Sequence, residues 1–205
     1  MKQLRCGDLN SGDIMLKAQD GTAFAKMITF AERLAGQLNP LLVHAGIMFD
    51  TTYIIEARKD GITANDLRIQ DKKGGYIVYR ATTDSLAKGA GTCAKMMFDI
   101  HQRHGTAGYN FLGLPGAVLP IGPGKPMTAN SMDQLLDGIL TGKGHRFFCS
   151  QFLVYVYQFV GEQNGVAASQ MFNVSDARVS PSTLASLLQS NHRFKEAGYM
   201  LPDAR

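Results

Sequence analysis

Cys149 is a candidate for chemistry because it lies at the start of a strongly apolar segment, Phe148 to Gly161. The segment is apolar enough to be a buried helix or strand, and Gly161 with Gly165 is predicted to end it. At the N-terminus of a helix, unpaired backbone N–H groups and the helix dipole would favour the nucleophilic thiolate. The open alternative is that Cys149 only packs, since free cysteine is among the most buried residue types.

His44 and Glu56 lie on two predicted strands, Val43 to Phe49 and Tyr53 to Arg58, joined through residues 50–52 as a β-hairpin. If the odd-numbered apolar residues of both strands share one face, His44 and Glu56 share the other. Glu56 then lies directly or diagonally across from His44, with Cβ atoms about 5 to 8 Å apart. A slip of one residue would separate them, and a solvated ladder of His, Glu and Arg is the alternative.

A thiol, an imidazole and a carboxylate can act as a nucleophile, a base that takes its proton, and a group that orients the base. The order along this chain is His44, Glu56, Cys149, whereas papain-like enzymes usually place Cys before His. The order changes the topology that is needed but not the geometry of the three groups.

Short motifs occur in a fixed order between residue 12 and about residue 160: Gly12-Asp13-Ile14, His44-Ala45-Gly46-Ile47, Ile55-Glu56-Ala57, Tyr109-Asn110-Phe111 and Phe148-Cys149-Ser150. In this order they resemble the motifs of the circularly permuted NlpC-type hydrolases, papain-like cysteine enzymes of the YiiX-like group. Each motif alone has little specificity, and it is their succession that carries the resemblance.

The resemblance implies an α+β, papain-like fold, circularly permuted, with an antiparallel sheet packed against helices. It implies Cys149 as the nucleophile, His44 as the general base and Glu56 as the orienting third member. Tyr109 and Ser150 are the candidate substrate-binding residues, with aromatic core packing as the alternative for Tyr109. No cofactor and no metal are expected.

Two departures from the family pattern bear on substrate preference more than on the chemistry. Gln151, Phe152 and Leu153 follow the Cys-Ser pair where the family often has Glu-Leu-Val, and Asn110 stands where Asp is frequent.

The remaining candidates are weaker. His145 is an alternative base, but we expect it to shape the loop before Cys149. His101 and His104 could share a helix face as metal ligands, yet neither a cysteine nor a carboxylate completes a set, so we expect surface histidines. Cys6 and Cys93 are expected to be structural or incidental.

The composition fits one domain spanning residues 1–205, with 45% hydrophobic and 19% charged residues. The 21 basic and 17 acidic residues leave a net charge of +4, which suits an anionic substrate but is too diffuse to predict nucleic-acid binding. The cysteines form no CxxC pair, so neither a disulfide framework nor a zinc ribbon is indicated. No apolar run reaches the roughly 18 residues of a membrane span.

The other elements predicted from periodicity and turn residues are the strands Asp13 to Lys17 and Tyr76 to Ala81, the helices Thr22 to Leu38, Ser85 to His104, Ser131 to Leu140 and Ser180 to Leu188, and a long loop, Gly105 to Asn130.

The resemblance implies a cysteine amidohydrolase or peptidase with a thioester intermediate, acting on peptidoglycan peptide or another anionic envelope substrate. The N-terminus does not resemble a Sec signal, so we expect synthesis in the cytoplasm. Activity on cell wall would then require delivery, as for a secreted antibacterial effector toxin with a secretion apparatus and a cognate immunity protein as partners. The alternatives are a lipid acyl hydrolase or acyltransferase with the same triad, and a non-catalytic binding module.

Overall fold

Six antiparallel strands form the main sheet of the protein. The computed structural model describes residues 1–18, 42–58, 61–69, 74–104, 107–109, 128, 145–147, 149–174, 179 and 181–201. The strands within these residues are β1 (Ile14–Ala18), β2 (Leu42–Met48), β3 (Tyr53–Arg58), β4 (Gly61–Asp66), β5 (Tyr76–Ala81), β6 (Ala107–Tyr109), β7 (His145–Phe147) and β8 (Phe194–Met200). The main sheet has the order β4-β3-β2-β1-β5-β8, and β6 pairs with β7 in parallel in a separate two-stranded sheet.

Four α-helices accompany these strands in the described part of the chain. They are α1 (Asp84–His104), α2 (Cys149–Gln163), α3 (Ala168–Met171) and α4 (Pro181–Ser190), and a 3₁₀ turn spans Cys6–Asp8. The predicted class, α+β with an antiparallel sheet packed against helices, is therefore confirmed.

Both faces of the main sheet are buried, because successive side chains of a strand point to opposite sides. One face carries Ile47 and Ile55 in the larger hydrophobic cluster, which also contains residues of α1 and α2. The other face carries Met48 and Ile54 in a second cluster that the N-terminal segment completes with Leu4. The hairpin that holds the candidate site is thus fixed from both sides.

Helix α2 is buried along nearly its whole length, and two polar side chains lock it to its surroundings. The hydroxyl of Tyr157 donates a hydrogen bond to the carbonyl of Gly12, just before β1. Gln158 donates from Nε2 to the carbonyls of Phe172 and Val174, at 2.8 and 3.1 Å. These bonds link the helix both to the sheet and to the segment after α3, and so help to hold α2, which begins at Cys149, in place.

Helix α1 contains two glycines because neighbouring segments come very close to it. A Cβ at Gly89 would stand 2.7 Å from Cγ1 of Val160 on α2, and a Cβ at Gly91 would stand 2.1 Å from Oγ of Ser11. Glycine weakens a helix by about 1 kcal/mol relative to alanine. Here that cost accompanies a close contact between α1 and the rest of the core.

The hairpin, the strands at β1 and β5, and the helices at α1 and α4 are predicted correctly, with boundaries that differ by one or two residues. Strands β4, β7 and β8 are not predicted, and His145, which the sequence analysis placed in the loop before Cys149, instead begins β7. The predicted loop Gly105 to Asn130 is wrong at β6, which is a strand, and α2 continues past Gly161 to Gln163.

Some predictions fall outside the described residues, namely the helices Thr22 to Leu38 and Ser131 to Leu140, the remainder of that loop apart from residue 128, and Ser180. The single domain over residues 1–205 stays a prediction.

Candidate active site

Cys149 is the first residue of α2. The sequence analysis left a buried helix or a buried strand open for this segment, and the segment is a helix. The first four N–H groups of an α-helix have no partner within the helix and carry the positive end of its dipole. The cysteine is 3% exposed, and α2 packs against β2 and β3. The thiol is therefore placed beside the hairpin that carries the other two candidates.

His44 lies near the start of β2, at an irregularity in the sheet. It pairs with Lys17 of β1, and the register shifts between Lys17 and Ala18. Leu42 and Ala45 both belong to the cluster shared with the helices, so the alternation of side chains breaks between them. Such bulges are common next to active sites, where they redirect a side chain. Here the bulge lies next to His44, which interacts with both Glu56 and Cys149.

Glu56 lies on β3 and its side chain is fully buried. The pairs Ile47 with Ile55 and Met48 with Ile54 set the register of the hairpin. Continued by one residue, this register places Gly46 opposite Glu56, so His44 is a diagonal neighbour of Glu56, one of the two arrangements that the sequence predicts. Their side chains meet, with His44 Nε2 at 3.1 Å from Glu56 Oε1.

Gly46 makes this contact sterically feasible. Gly46 lies on the same face as Glu56. A Cβ at position 46 would stand 2.8 Å from Cγ of Glu56 and 2.6 Å from Cδ1 of Ile54. The carboxylate chain of Glu56 passes through the space that a side chain at position 46 would occupy.

The second oxygen of Glu56 is held by two residues that the sequence analysis did not single out. Arg58 approaches Oε2 with Nε at 3.0 Å and Nη2 at 2.8 Å. Asn65, on β4, donates from Nδ2 to the same oxygen at 2.9 Å and to Oγ1 of Thr63 at 3.1 Å. The alternation on β3 already places Arg58 on the face of Glu56, whereas Asn65 belongs to a strand that the sequence analysis missed.

The electrostatics of the cluster favour a charged imidazole. Burial disfavours the imidazolium form of His44, but its side-chain interactions with Cys149 and Glu56 and the negative charges of those two groups outweigh this effect and raise the pKa to about 9. At the His44–Glu56 contact the angle falls outside that of a well-directed hydrogen bond. We describe it as an ion pair, because charge attraction depends on distance more than on direction.

His44 therefore has two partners. Its Nε2 faces Glu56 Oε1, and its ring also interacts with the thiol of Cys149. An imidazole held in this way by an acid can accept a proton from a thiol on its other side. The structure thus brings together all three residues that the sequence nominates as a triad.

The other two cysteines have different surroundings. Cys93, on α1, is buried, and burial raises its pKa to about 12, so its thiol stays protonated at neutral pH. Cys6 is half-buried in the N-terminal turn. Across the described residues, no group of three His, Cys, Asp or Glu side chains is placed to hold a metal ion.

The predicted substrate-binding residues are placed as follows. Ser150 is buried, and its hydroxyl donates to the carbonyl of Val179. The backbone of Tyr109 ends β6, paired with Phe147 at the end of β7, and β6 contacts β3 and β4. His145, the alternative base, begins β7. Substrate binding by Ser150 and Tyr109 stays a prediction.

Comparison with protein-family models and with curated proteins finds no match for this chain. Within the described parts of the chain, no helix is long and apolar enough to cross a membrane.

Proposed function

We propose that the protein is a cysteine hydrolase that acts through Cys149, His44 and Glu56 and forms a thioester intermediate. The observation that carries the proposal is the double engagement of His44, which interacts with the thiol of Cys149 and lies 3.1 Å from the carboxylate of Glu56. The position of Cys149 at a helix N-terminus supports it further.

In the proposed reaction the proton of the Cys149 thiol passes to His44, whose charged form the site favours, and the resulting thiolate–imidazolium pair is the reactive state. The thiolate attacks the carbonyl carbon of an amide, and the resulting oxyanion accepts a hydrogen bond from the backbone N–H of Cys149. His44 then gives its proton to the leaving nitrogen as the C–N bond breaks, which leaves a thioester. Water, deprotonated by His44, hydrolyses the thioester and releases Cys149. An oxyanion donor of this kind contributes typically about 2.7 to 4 kcal/mol.

Glu56 serves in this scheme to orient His44 and to stabilise its charged form. Because Glu56 faces Nε2, the proton transfers take place at Nδ1. The carboxylate remains ionised throughout, as the third member of such triads does.

We further propose that the fold is papain-like and circularly permuted, of the NlpC type. The support is topological: a helix that begins with the candidate nucleophile packs on an antiparallel sheet that carries the base and the acid. In this chain that helix follows β2 and β3, the strands that carry the base and the acid, which is the order a permuted chain would have.

The substrate that we propose is the peptide part of bacterial cell wall, cleaved at an amide bond by a secreted effector. The support is the resemblance of the motifs to the NlpC-type hydrolases and the net charge of +4, which suits an anionic polymer. Toxicity only when a Sec signal directs the protein to the periplasm would support this role, whereas equal toxicity in the cytoplasm would count against it.

Digestion of purified peptidoglycan, with products identified by mass, tests the activity. Wild type and Cys93→Ala should release the same peptides, whereas Cys149→Ala and His44→Ala should release none. Activity of Cys149→Ala equal to wild type would overturn the nucleophile. Inert wild type on cell wall with Cys149-dependent release of fatty acid from phospholipid vesicles would assign the lipid class instead. Inactivity on both would favour a binding module.

A further inference from the structure

We propose that Arg58 and Asn65 are positioning residues that hold one oxygen of Glu56 and so direct the other oxygen at His44. This inference rests on the proposed function, because it assigns a role in organising the same triad. It adds two residues to the site, neither of which is one of the three triad members.

The geometry divides the carboxylate of Glu56 between two tasks. Three donor atoms converge on Oε2: Nε of Arg58 at 3.0 Å, Nη2 of Arg58 at 2.8 Å and Nδ2 of Asn65 at 2.9 Å. Oε1 faces Nε2 of His44 at 3.1 Å. A carboxylate can rotate about its last bond, and three donors on one oxygen restrict that rotation. The oxygen that faces His44 is then fixed in direction without being used by any of these donors.

The charges point the same way. An ionised carboxylate that is removed from water costs several kcal/mol unless it is paired and hydrogen-bonded. Among the described residues, the side chains that meet the Glu56 carboxylate include His44 from β2, Arg58 on its own strand β3 and the neutral Asn65 from β4. The hydroxyl of Thr63 donates instead to the backbone carbonyl of Glu56. Cys149 of α2 faces His44 on the other side.

Arg58 is thus the permanently charged partner among these groups, since the charge of His44 itself depends on Glu56. Its side chain is 37% exposed, so the positive charge remains partly hydrated while its Nε and Nη2 reach the buried oxygen. Imidazolium, carboxylate and guanidinium then alternate in sign from His44 to the edge of the site. Removal of Arg58 should let the Glu56 carboxylate rotate and lose its hold on His44.

The test is the titration of the His44 ring followed by NMR, without any substrate. The chain has five histidines, so a His44→Asn variant assigns the signal. The variants are Arg58→Met and Asn65→Leu, which remove the donors but keep much of the side-chain volume. The matched control is Arg68→Met, which breaks an exposed pair with Asp66 on the adjoining segment.

Arg58→Met should lower the midpoint of the His44 titration by about one pH unit or more, because a Glu56 carboxylate that turns away no longer stabilises the imidazolium; this is the size of effect that loss of an opposite charge produces. Asn65→Leu should lower it less, and Arg68→Met should leave it unchanged. Thermal unfolding is measured for each variant. If Arg58→Met does not fold, Arg58→Lys replaces it in the test. Lysine keeps the positive charge but lacks the paired N–H donors of the guanidinium, so the midpoint of the His44 titration should stay above that of free histidine but below that of wild type.

Chemical rescue separates positioning from packing. Methylguanidinium added to Arg58→Ala should restore the raised His44 midpoint, because the native guanidinium lies at the solvent boundary. An unchanged midpoint in both Arg58→Met and Asn65→Leu would overturn the positioning role and leave the proposed function standing. A wild-type His44 that titrates in the range of free histidine would instead contradict the proposed function itself.

Discussion

Replacement of Gly46 by alanine should disconnect Glu56 from His44 while leaving all three triad residues in the chain. Carbon atoms in contact lie about 3.5 to 4.0 Å apart. A Cβ at position 46 would stand 2.8 Å from Cγ of Glu56 and 2.6 Å from Cδ1 of Ile54. One or both side chains must therefore move by about 1 Å.

The size of the effect follows from this displacement. If Glu56 moves by about 1 Å, its distance from His44 grows from 3.1 Å to about 4 Å, the limit of an ion pair. A misplacement of this size in an active site costs about 100-fold in rate. Overpacking of a buried position costs about 1 to 3 kcal/mol of stability. We expect Gly46→Ala to remain folded but to hydrolyse substrate about 100-fold more slowly.

The assay is the rate of peptide release from peptidoglycan, with circular dichroism and thermal unfolding as measures of folding. Gly7→Ala is the matched control, because a Cβ at Gly7 would have nothing within 4 Å. It should behave as wild type. A folded Gly46→Ala that keeps its rate within about twofold of wild type would refute the reasoning.

Three further outcomes follow from the structure. The pKa of His44 is raised to about 9, so the ion pairs of its charged form are complete below the usual value of 6.5 and are lost as pH rises through about 9. The rate of hydrolysis should therefore fall as pH rises through about 9. A constant rate up to pH 10 would contradict this. Gly89→Ala should destabilise the fold by about 1 to 3 kcal/mol through Val160, and urea unfolding should show partial rescue by Val160→Ala. Asp13→Asn should lower the free energy of unfolding in urea by about 3 kcal/mol, because it weakens the ion pair of buried Asp13 with Arg80 at 2.6 and 2.7 Å. A loss of less than 1 kcal/mol would contradict this role of the pair.

The hairpin was predictable because its two strands alternate apolar and polar residues and are separated by a short polar turn. Asp50 holds that turn, where its Oδ1 accepts the backbone N–H groups of Thr52 and Tyr53 at 2.7 and 2.8 Å. The same alternation put His44 and Glu56 on one face. This local pattern therefore contained most of the information about the base and the acid.

Strands β4 and β8 could not be read in the same way. The sequence of β4 ends in Thr63-Ala64-Asn65-Asp66, and β8 reads FKEAGYM, so neither has a clear apolar alternation. Both are the last strands at either end of the sheet, and the outer side of β8 is hydrogen-bonded to the N-terminal segment at Lys2 and Leu4. Pairing with β3 and β5 decides their structure. Because Asn65 lies on β4, the support of Glu56 was missed with it.

The contact of Cys149 with the hairpin is long-range, since about a hundred residues separate it from His44 and Glu56 along the chain. The apolar segment after Cys149 predicted a buried element but not the face against which it packs. The irregularity in β2 between Leu42 and Ala45 likewise leaves no mark in a simple alternating pattern. These features depend on tertiary packing, which the sequence pattern alone does not specify.

The relative reactivity of the three thiols tests the central claim most directly. Iodoacetamide at pH 6.5 is followed by mass spectrometry of the peptides that contain Cys6, Cys93 and Cys149. Exposure alone would make Cys6 react first, because it is half-buried while the other two are buried. If His44 activates Cys149, that thiol should be alkylated at least tenfold faster than Cys6 in wild type, and the advantage should disappear in His44→Ala. Equal or slower alkylation of Cys149 in the folded wild-type protein would contradict the triad.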